Sequence, residues 1–209
     1  MTGHRRVWAA LEGLVADGTV AAVAMPQLIA RGREEWPGQI WDTVAQLAFD
    51  EEAALAGWLH SVLAENPPGQ PLNGLWFGLF MPARPDGCCH ALYVGGTAHR
   101  DDADAEMRWV GSLSWLPEVS TAPLAALAAL PTGLDEEDAP NEEQPAVLAA
   151  VWLLPIAYAA LLVRNVVPAL ARSGWAEPEV EVAVGYDSGD LLRVGVIASS
   201  GFTPARLPG

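Results

Sequence analysis

The chain has 209 residues, of which 51% are hydrophobic and 18% are charged, and this balance predicts a folded protein and excludes extensive disorder. Its basic residues are 11 arginines with no lysine, against 26 acidic residues, which gives a formal net charge of -15. Nucleic acid is excluded as a partner because phosphate binding needs clustered positive charge, and the absence of lysine excludes Walker-type and Schiff-base chemistry.

The first third of the chain predicts helices. Apolar residues recur at helical spacing before a stop at Gly18: Val7, Trp8, Leu11, Leu14 and Val15. Residues 19–49 contain Pro26 and are predicted to form short helical pieces joined by turns. A second amphipathic helix follows, with Asp50 as its predicted N-cap. Its apolar stripe consists of Leu55, Trp58, Leu59, Val62 and Leu63.

The hydrophobic period then changes to that of strands. A continuous apolar run over residues 75–81 predicts a buried strand, and residues 89–98 predict a second one. Residues 107–116 alternate, with one side formed by Met107, Trp109, Leu113 and Trp115. Three consecutive strands with short connections predict an antiparallel meander.

The middle of the chain predicts helices again. A short helix is expected at residues 124–130, and an acidic, solvated loop at 133–144. Residues 145–163 carry no charge, so this segment is long enough to span a bilayer and equally suits a helix buried in a core. Its alanine content and Pro155 favour the buried helix, kinked or restarted at Pro155 and at Pro168.

The clearest hairpin lies at the C-terminal end, around the turn at residues 187–190. Apolar residues alternate on both sides of it: Val180, Val182, Val184 and Tyr186, then Leu192, Val194 and Val196. The whole pattern predicts one α+β domain over residues 1–209. We expect an antiparallel sheet of about five strands, a three-stranded meander plus the C-terminal hairpin, with helices packed on one face.

No residue pattern indicates a catalytic residue, a cofactor or a metal site. Cys88, Cys89 and His90 are consecutive, and because neighbours on a strand point to opposite faces they cannot readily enclose one ion. The acidic run after His99 has oxygen ligands for calcium or magnesium, but it lacks the glycine and terminal glutamate of a calcium-hand loop. The segment 185–189 has the wrong spacing for a nucleophile turn.

The expected location is the reducing cytoplasm. Adjacent cysteines rarely form a disulfide, so Cys88 and Cys89 do not indicate a secreted framework. The N-terminal stretch is interrupted by Glu12 and Asp17 and has no continuous apolar signal core. Neither export nor membrane insertion is therefore expected.

The lysine-free composition, rich in alanine and tryptophan, resembles that of a protein from a high-GC actinomycete. The tryptophan-rich strands from Leu75 to Trp115, together with the terminal hairpin through residues 185–190, resemble bacterial immunity proteins that neutralise polymorphic toxins. This resemblance covers the sheet half of the chain. It implies a small cytoplasmic protein that blocks a toxin domain by contact, often through acidic residues.

Three functions follow as hypotheses. The first is a non-catalytic inhibitor or immunity protein whose partner is another protein, such as a cationic toxin domain. The second is a hydrolase whose site is assembled from residues distant in the sequence. The third is a structural subunit that uses surplus apolar surface to form a homo-oligomer.

The partner-binding hypothesis selects acidic residues in the connections between strands. Asp101, Asp102 and Asp104 lie between the second and third predicted strands, while Asp187 and Asp190 flank the terminal turn. Tyr186 is a candidate amphipathic anchor beside that turn. If the two acidic sets share one end of the sheet, they form a negative patch. Otherwise they are two unrelated solvated turns.

Overall fold

The N-terminal part of the chain is helical. A computed structural model describes residues 3–84, 87–100, 107–118, 121–132, 141–172, 179–187 and 189–205. Its first helices are α1 (Gly3–Asp17), α2 (Ala21–Glu35), α3 (Ile40–Val44) and α4 (Glu52–Glu65). Gly18 ends α1 with a φ of +67°, which glycine adopts at little cost. The predicted stripes are confirmed by burial of Val7, Leu11, Val15, Leu55, Trp58, Leu59 and Val62.

Two expectations for this part are wrong. Helix α2 runs through Pro26 for 15 residues instead of breaking into short pieces, because its buried face packs against the core and the proline removes only one backbone hydrogen bond. Helix α4 begins after Glu51, not after Asp50. The Glu51 carboxylate accepts hydrogen bonds from the distant backbone amides of Ala125 and Ala126 and from the Tyr158 hydroxyl.

The sheet combines strands from both halves of the chain. In chain order the strands are β1 (Gly74–Phe80), β2 (Ala83–Arg84), β3 (Gly87–Cys88), β4 (Ala91–Thr97), β5 (Val180–Tyr186), β6 (Leu191–Ala198) and β7 (Gly201–Pro204). The main sheet has the order β4-β1-β5-β6-β7, and β2 pairs separately with β3. All neighbours in it are antiparallel except β1 and β5, which run parallel. The predicted α+β class is confirmed, and so is the C-terminal hairpin.

The predicted meander is wrong in its third strand. Met107 has a left-handed backbone with a φ of 53°, and Arg108–Gly111 forms a 3₁₀ helix. Trp115 reaches the sheet only through an isolated bridge to Gly96. Met107 and Trp109 therefore cover a face of the sheet, and β4 remains an edge strand instead of the central strand of a meander.

The two faces of the sheet are covered differently. One face packs against the helices through Leu75, Phe77, Leu79, Leu92, Val94, Val182 and Val184. The opposite face, called the outer face below, carries a smaller cluster of Trp76, Met107, Trp109 and Ala183, with Tyr93 and Leu191 packed against it. Since side chains alternate along a strand, Glu181 and Asp187 belong to this outer face as well.

The charge-free segment forms the centre of the helical layer. Helix α5 is Ala125–Ala128, α6 is Gln144–Val166 and α7 is Pro168–Arg172. Helix α6 packs against α1 to α5 and against β1, β5 and β6. It continues through Pro155, so the helix does not restart there as one form of the prediction had it, whereas a new helix does begin at Pro168.

Helix α6 also meets the length and composition of a membrane span. The stretch Gln144–Ala171 is the one such candidate among the described residues, and 83% of its most apolar window is buried inside the fold. A core helix passes the same test, and a single candidate is weak evidence for a span. Its burial agrees with the predicted core helix.

Candidate functional site

The turn between β5 and β6 lies at one end of the sheet. The Tyr186 amide donates to the Asp190 carbonyl at 3.0 Å, and the Gly189 amide donates to the Tyr186 carbonyl at 3.1 Å. Asp187 and Asp190 are both exposed. Strand pairing places this turn at the same end as the C-terminus of β1 and the start of β4.

Asp187 is joined to β4 across the intervening strand β1. The Tyr93 hydroxyl donates to Asp187 Oδ1 at 2.6 Å and accepts a hydrogen bond of 3.0 Å from the Trp76 indole. Tyr93 pairs with Gly78 of β1, and its ring lies where a side chain at position 78 would be. The glycine is therefore required for the close approach of this ring to the backbone.

A pocket of about 360 Å³ opens beside this hydrogen-bonded chain. We call it the Tyr93 pocket, and its lining residues are Phe80, Tyr93, Val94, Leu116, Pro117, Thr121 and Asp187. The rings of Phe80 and Tyr93 meet edge to face with centroids 5.9 Å apart. Leu116 is 63% exposed, so much of the wall is apolar surface open to solvent.

The environment of Tyr93 keeps its hydroxyl protonated. Burial, followed by the hydrogen bond and the negative charge of Asp187, raises the pKa of Tyr93 to about 12, although the Trp76 hydrogen bond acts in the opposite direction. A phenol with so high a pKa is a hydrogen-bond donor at neutral pH and does not serve as a general base. The arrangement is suited to donating a hydrogen bond to Asp187.

A second concavity lies on the other side of the same turn. It consists of two adjoining depressions of about 410 and 420 Å³ that share His4, Trp8 and Asp190. We call it the Trp groove, and the apolar residues of the 410 Å³ depression are Trp8, Trp36, Pro145, Leu148, Ala149, Trp152, Leu153 and Ile156. Leu148 is 44% exposed. The 420 Å³ depression adds the polar residues Arg5 and Glu12, and Glu12 accepts a hydrogen bond of 3.1 Å from the Trp8 indole.

Tyr186 is placed in the core and not on the surface. Its side chain is 3% exposed, its ring packs edge to face on Trp152, and its hydroxyl lies 3.0 Å from His90 Nδ1. His90 Nε2 donates to the Pro131 carbonyl at 2.6 Å, so Nδ1 is the acceptor for Tyr186. Burial raises the pKa of Tyr186, with the charge of Asp190 as a smaller cause. Tyr186 therefore packs in the core next to the turn and is not exposed as the predicted anchor would be.

The remaining predicted residues, Asp101, Asp102 and Asp104, lie outside the described residues. The preceding residue, Arg100, is bound at the opposite end of β5 from Asp187. Its Nη1 donates to Glu181 Oε2 at 3.1 Å, and the same oxygen accepts the Trp109 indole at 3.1 Å. Arg193 forms an ion pair with the other oxygen of Glu181. Of the predicted partner-binding residues, Asp187 and Asp190 are therefore the ones that the structure describes as exposed.

The geometry offers binding surfaces but little that suggests chemistry. Across the described ranges, no group of three or more metal-ligating side chains is brought together. Cys88 and Cys89 are free thiols. Both ring nitrogens of the buried His90 are occupied by Tyr186 and Pro131, which leaves neither for a substrate.

Sequence reasoning missed several residues of the two concavities. The sequence pattern predicts Trp8 and Trp152 as core residues of helices, and it predicts Tyr93 as an aromatic residue of a strand. The available signal was Gly78 in the middle of a hydrophobic strand, because a glycine there often marks a close approach by another group. Without the strand order, nothing in the sequence identifies Tyr93 as that group.

Comparison of the chain with protein-family models, with curated proteins and with solved structures finds no match.

Proposed function

We propose that the protein is a non-catalytic inhibitor, acting in the cytoplasm as an immunity protein that neutralises a cationic toxin domain by direct contact. The contact surface is the end of the sheet that carries the β5–β6 turn. Its apolar part is the Trp groove, and its acidic part is Asp187 and Asp190.

The observation that carries this proposal is the position of the turn between two concavities. Asp190 borders the Trp groove and Asp187 borders the Tyr93 pocket. Tryptophan side chains in a recess beside charged groups are typical of the residues that dominate protein interfaces. The groove is therefore suited to an apolar anchor from a partner, while the surrounding acidity is suited to a cationic rim.

The net charge supports the same kind of partner. A formal charge of -15 creates a negative field that attracts a basic protein and accelerates its association. The occupied histidine and the protonated Tyr93 favour binding over catalysis at this end of the sheet. The free thiols of Cys88 and Cys89 suit a reducing compartment.

The test is co-expression with a cationic, toxin-like protein encoded beside the gene. We expect the chain to restore growth of the host and to purify with that protein as a stoichiometric complex. Leu148→Glu introduces a charge into the Trp groove at an exposed position, and we expect it to weaken the complex by at least about tenfold, the scale of an interface anchor.

Val23→Glu is the matched control. Val23 is 52% exposed on α2 and does not line either concavity, so the substitution adds the same charge elsewhere. Equal weakening by both variants would reject the groove as the contact surface. Failure to neutralise the adjacent gene product would reject the immunity function, and a homodimer that only Leu148→Glu dissociates would support the oligomeric subunit instead.

A further inference from the structure

The Tyr93 pocket combines one negatively charged side chain with aromatic and aliphatic walls. One carboxylate, Asp187, lies among its lining residues, and the described lining includes no arginine or histidine. The other lining groups are two aromatic rings, aliphatic side chains and one threonine. The pocket volume of about 360 Å³ accommodates one long side chain.

We propose that this pocket binds a lysine or arginine side chain of a protein partner. The carboxylate of Asp187 pairs with the cationic head, and the aliphatic stem packs along Leu116 and Pro117. The identity of the occupant as a partner's side chain rests on the proposed function. The preference for a cation rests on the pocket alone.

The hydrogen-bonded chain beneath the pocket fixes the carboxylate in place. The Trp76 indole donates to Tyr93, and Tyr93 donates to Asp187 Oδ1. Every donor in this chain is directed towards Asp187, so the carboxylate remains an acceptor. Within the described residues Oδ2 accepts no hydrogen bond, which leaves one oxygen for a ligand's donor. A carboxylate that is already oriented loses less conformational entropy when it binds.

The walls of the pocket suit the rest of a basic side chain. Phe80 and Tyr93 offer aromatic rings, which attract a cation placed over their faces. Leu116 is 63% exposed and provides apolar surface for methylene groups. Lysine and arginine both combine an apolar stem with a charged end, and they cover such surfaces efficiently.

The experiment is a titration of the full chain with Nα-acetyl-lysine N-methylamide and with the corresponding arginine compound, followed by NMR. The Trp76 indole resonance is the reporter because its proton is bonded to Tyr93. We expect saturable shifts with a dissociation constant in the millimolar range for at least one probe. The neutral norleucine analogue, which has the stem without the charge, should bind at least about tenfold more weakly.

Two substitutions localise the binding. Asp187→Asn removes the charge inside the pocket, and we expect it to weaken probe binding about tenfold. Asp190→Asn removes one negative charge from the same turn, but Asp190 lines the Trp groove and not the Tyr93 pocket. We therefore expect this variant to change probe binding by less than about twofold. Gly78→Ala places a methyl group against the Tyr93 ring, displaces it and is expected to weaken binding as Asp187→Asn does.

The outcomes separate this proposal from the function. Absence of a saturable shift with both cationic probes overturns the proposal that the pocket binds a cation. Equal losses of probe binding in Asp187→Asn and Asp190→Asn also overturn it, because they would indicate general electrostatic attraction. Probe binding by a protein that neutralises no toxin keeps the pocket and rejects the immunity function. Neutralisation of the toxin without probe binding rejects the pocket and keeps the immunity function.

Discussion

Glu181 and Asp187 are two carboxylates on the outer face at opposite ends of strand β5. Glu181 is 4% exposed and is surrounded by Arg100, Arg193 and the Trp109 indole. Asp187 is exposed, and its partner in the described structure is the neutral hydroxyl of Tyr93. One carboxylate is thus neutralised within the fold, while the other leaves its charge at the surface.

The contrast separates a structural charge from a charge available to a ligand. A buried carboxylate needs its partners because an unpaired charge in the interior is unfavourable. An exposed carboxylate beside a pocket is hydrated, and it exchanges that water for a ligand at small cost. Loss of Glu181 should therefore affect stability, and loss of Asp187 should mainly affect binding.

The largest effect is expected from Glu181→Gln. The substitution removes the carboxylate that forms ion pairs with Arg100 and Arg193, and we expect it to lower the free energy of unfolding by about 3 kcal/mol. Urea denaturation measures this change. Glu179→Gln, at an exposed position just before β5, is the control and should leave the unfolding midpoint unchanged. Similar midpoints for the two variants would show that the Glu181 cluster is not a stabilising one.

An intermediate effect on stability is expected from the ionisation of Tyr93 at alkaline pH. The pKa of Tyr93 is raised to about 12, so the folded state holds this proton more tightly than the unfolded state, in which a tyrosine has a pKa of about 10. The corresponding stability is fully present below pH 10 and is lost as the pH rises through about 12. In that window Tyr93 contributes a decrease of at most about 1.4 kcal/mol per pH unit, and solvent screening of the partly buried hydroxyl reduces this value.

The matched variant for the pH experiment is Tyr93→Phe. Burial also raises the pKa values of Tyr158 and Tyr186, so the variant keeps part of the alkaline destabilisation. Unfolding free energies measured between pH 9 and 11 should fall less steeply in the variant, by about one proton's contribution. An unchanged slope would mean that Tyr93 ionises as an exposed tyrosine does.

The smallest effect on stability is expected from Asp187→Asn. Because Asp187 is exposed and bonded to one hydroxyl, we expect a loss of less than about 1 kcal/mol. The same substitution removes two causes of the raised pKa of Tyr93, so ultraviolet titration should show that tyrosine ionising at lower pH than in the unmodified chain. A loss of stability as large as that caused by Glu181→Gln would show that Asp187, like Glu181, mainly stabilises the fold.

The sequence predicts most of the helices and the C-terminal hairpin because their periodicity is local. The stripes of α1 and α4 and the alternation of β5 and β6 are each contained in one short segment. Pro26 and Pro155 misled the prediction because tertiary packing compensates for one missing backbone hydrogen bond. Such compensation depends on distant residues, which local patterns do not reveal.

The candidate site could be predicted from the sequence only in part, because it also depends on contacts between distant residues. Asp187 and Asp190 follow from turn composition. The roles of Tyr93, Gly78 and Trp76 depend on the order β4-β1-β5, which brings a residue of β4 across β1 to the end of β5. The alternation of residues 107–116 predicted a strand, but Met107 and Trp109 cover a face of the sheet and Trp115 meets the edge strand β4 at a single bridge.

The parallel pairing of β1 with β5 determines when the protein can fold during its synthesis. Residues 74–79 pair with residues 181–186, so β1 lacks one neighbour until residue 186 has left the ribosome. At roughly 5–20 residues per second, this interval lasts on the order of 5–20 seconds. Helix α6 ends at Val166 and is therefore made only late in this interval. From then until β5 is complete at Tyr186, roughly 1–4 seconds at the same rate, the helix lacks the strands that cover part of its surface. We expect chaperones to bind the nascent chain during this shorter time, when its most apolar segment is partly uncovered.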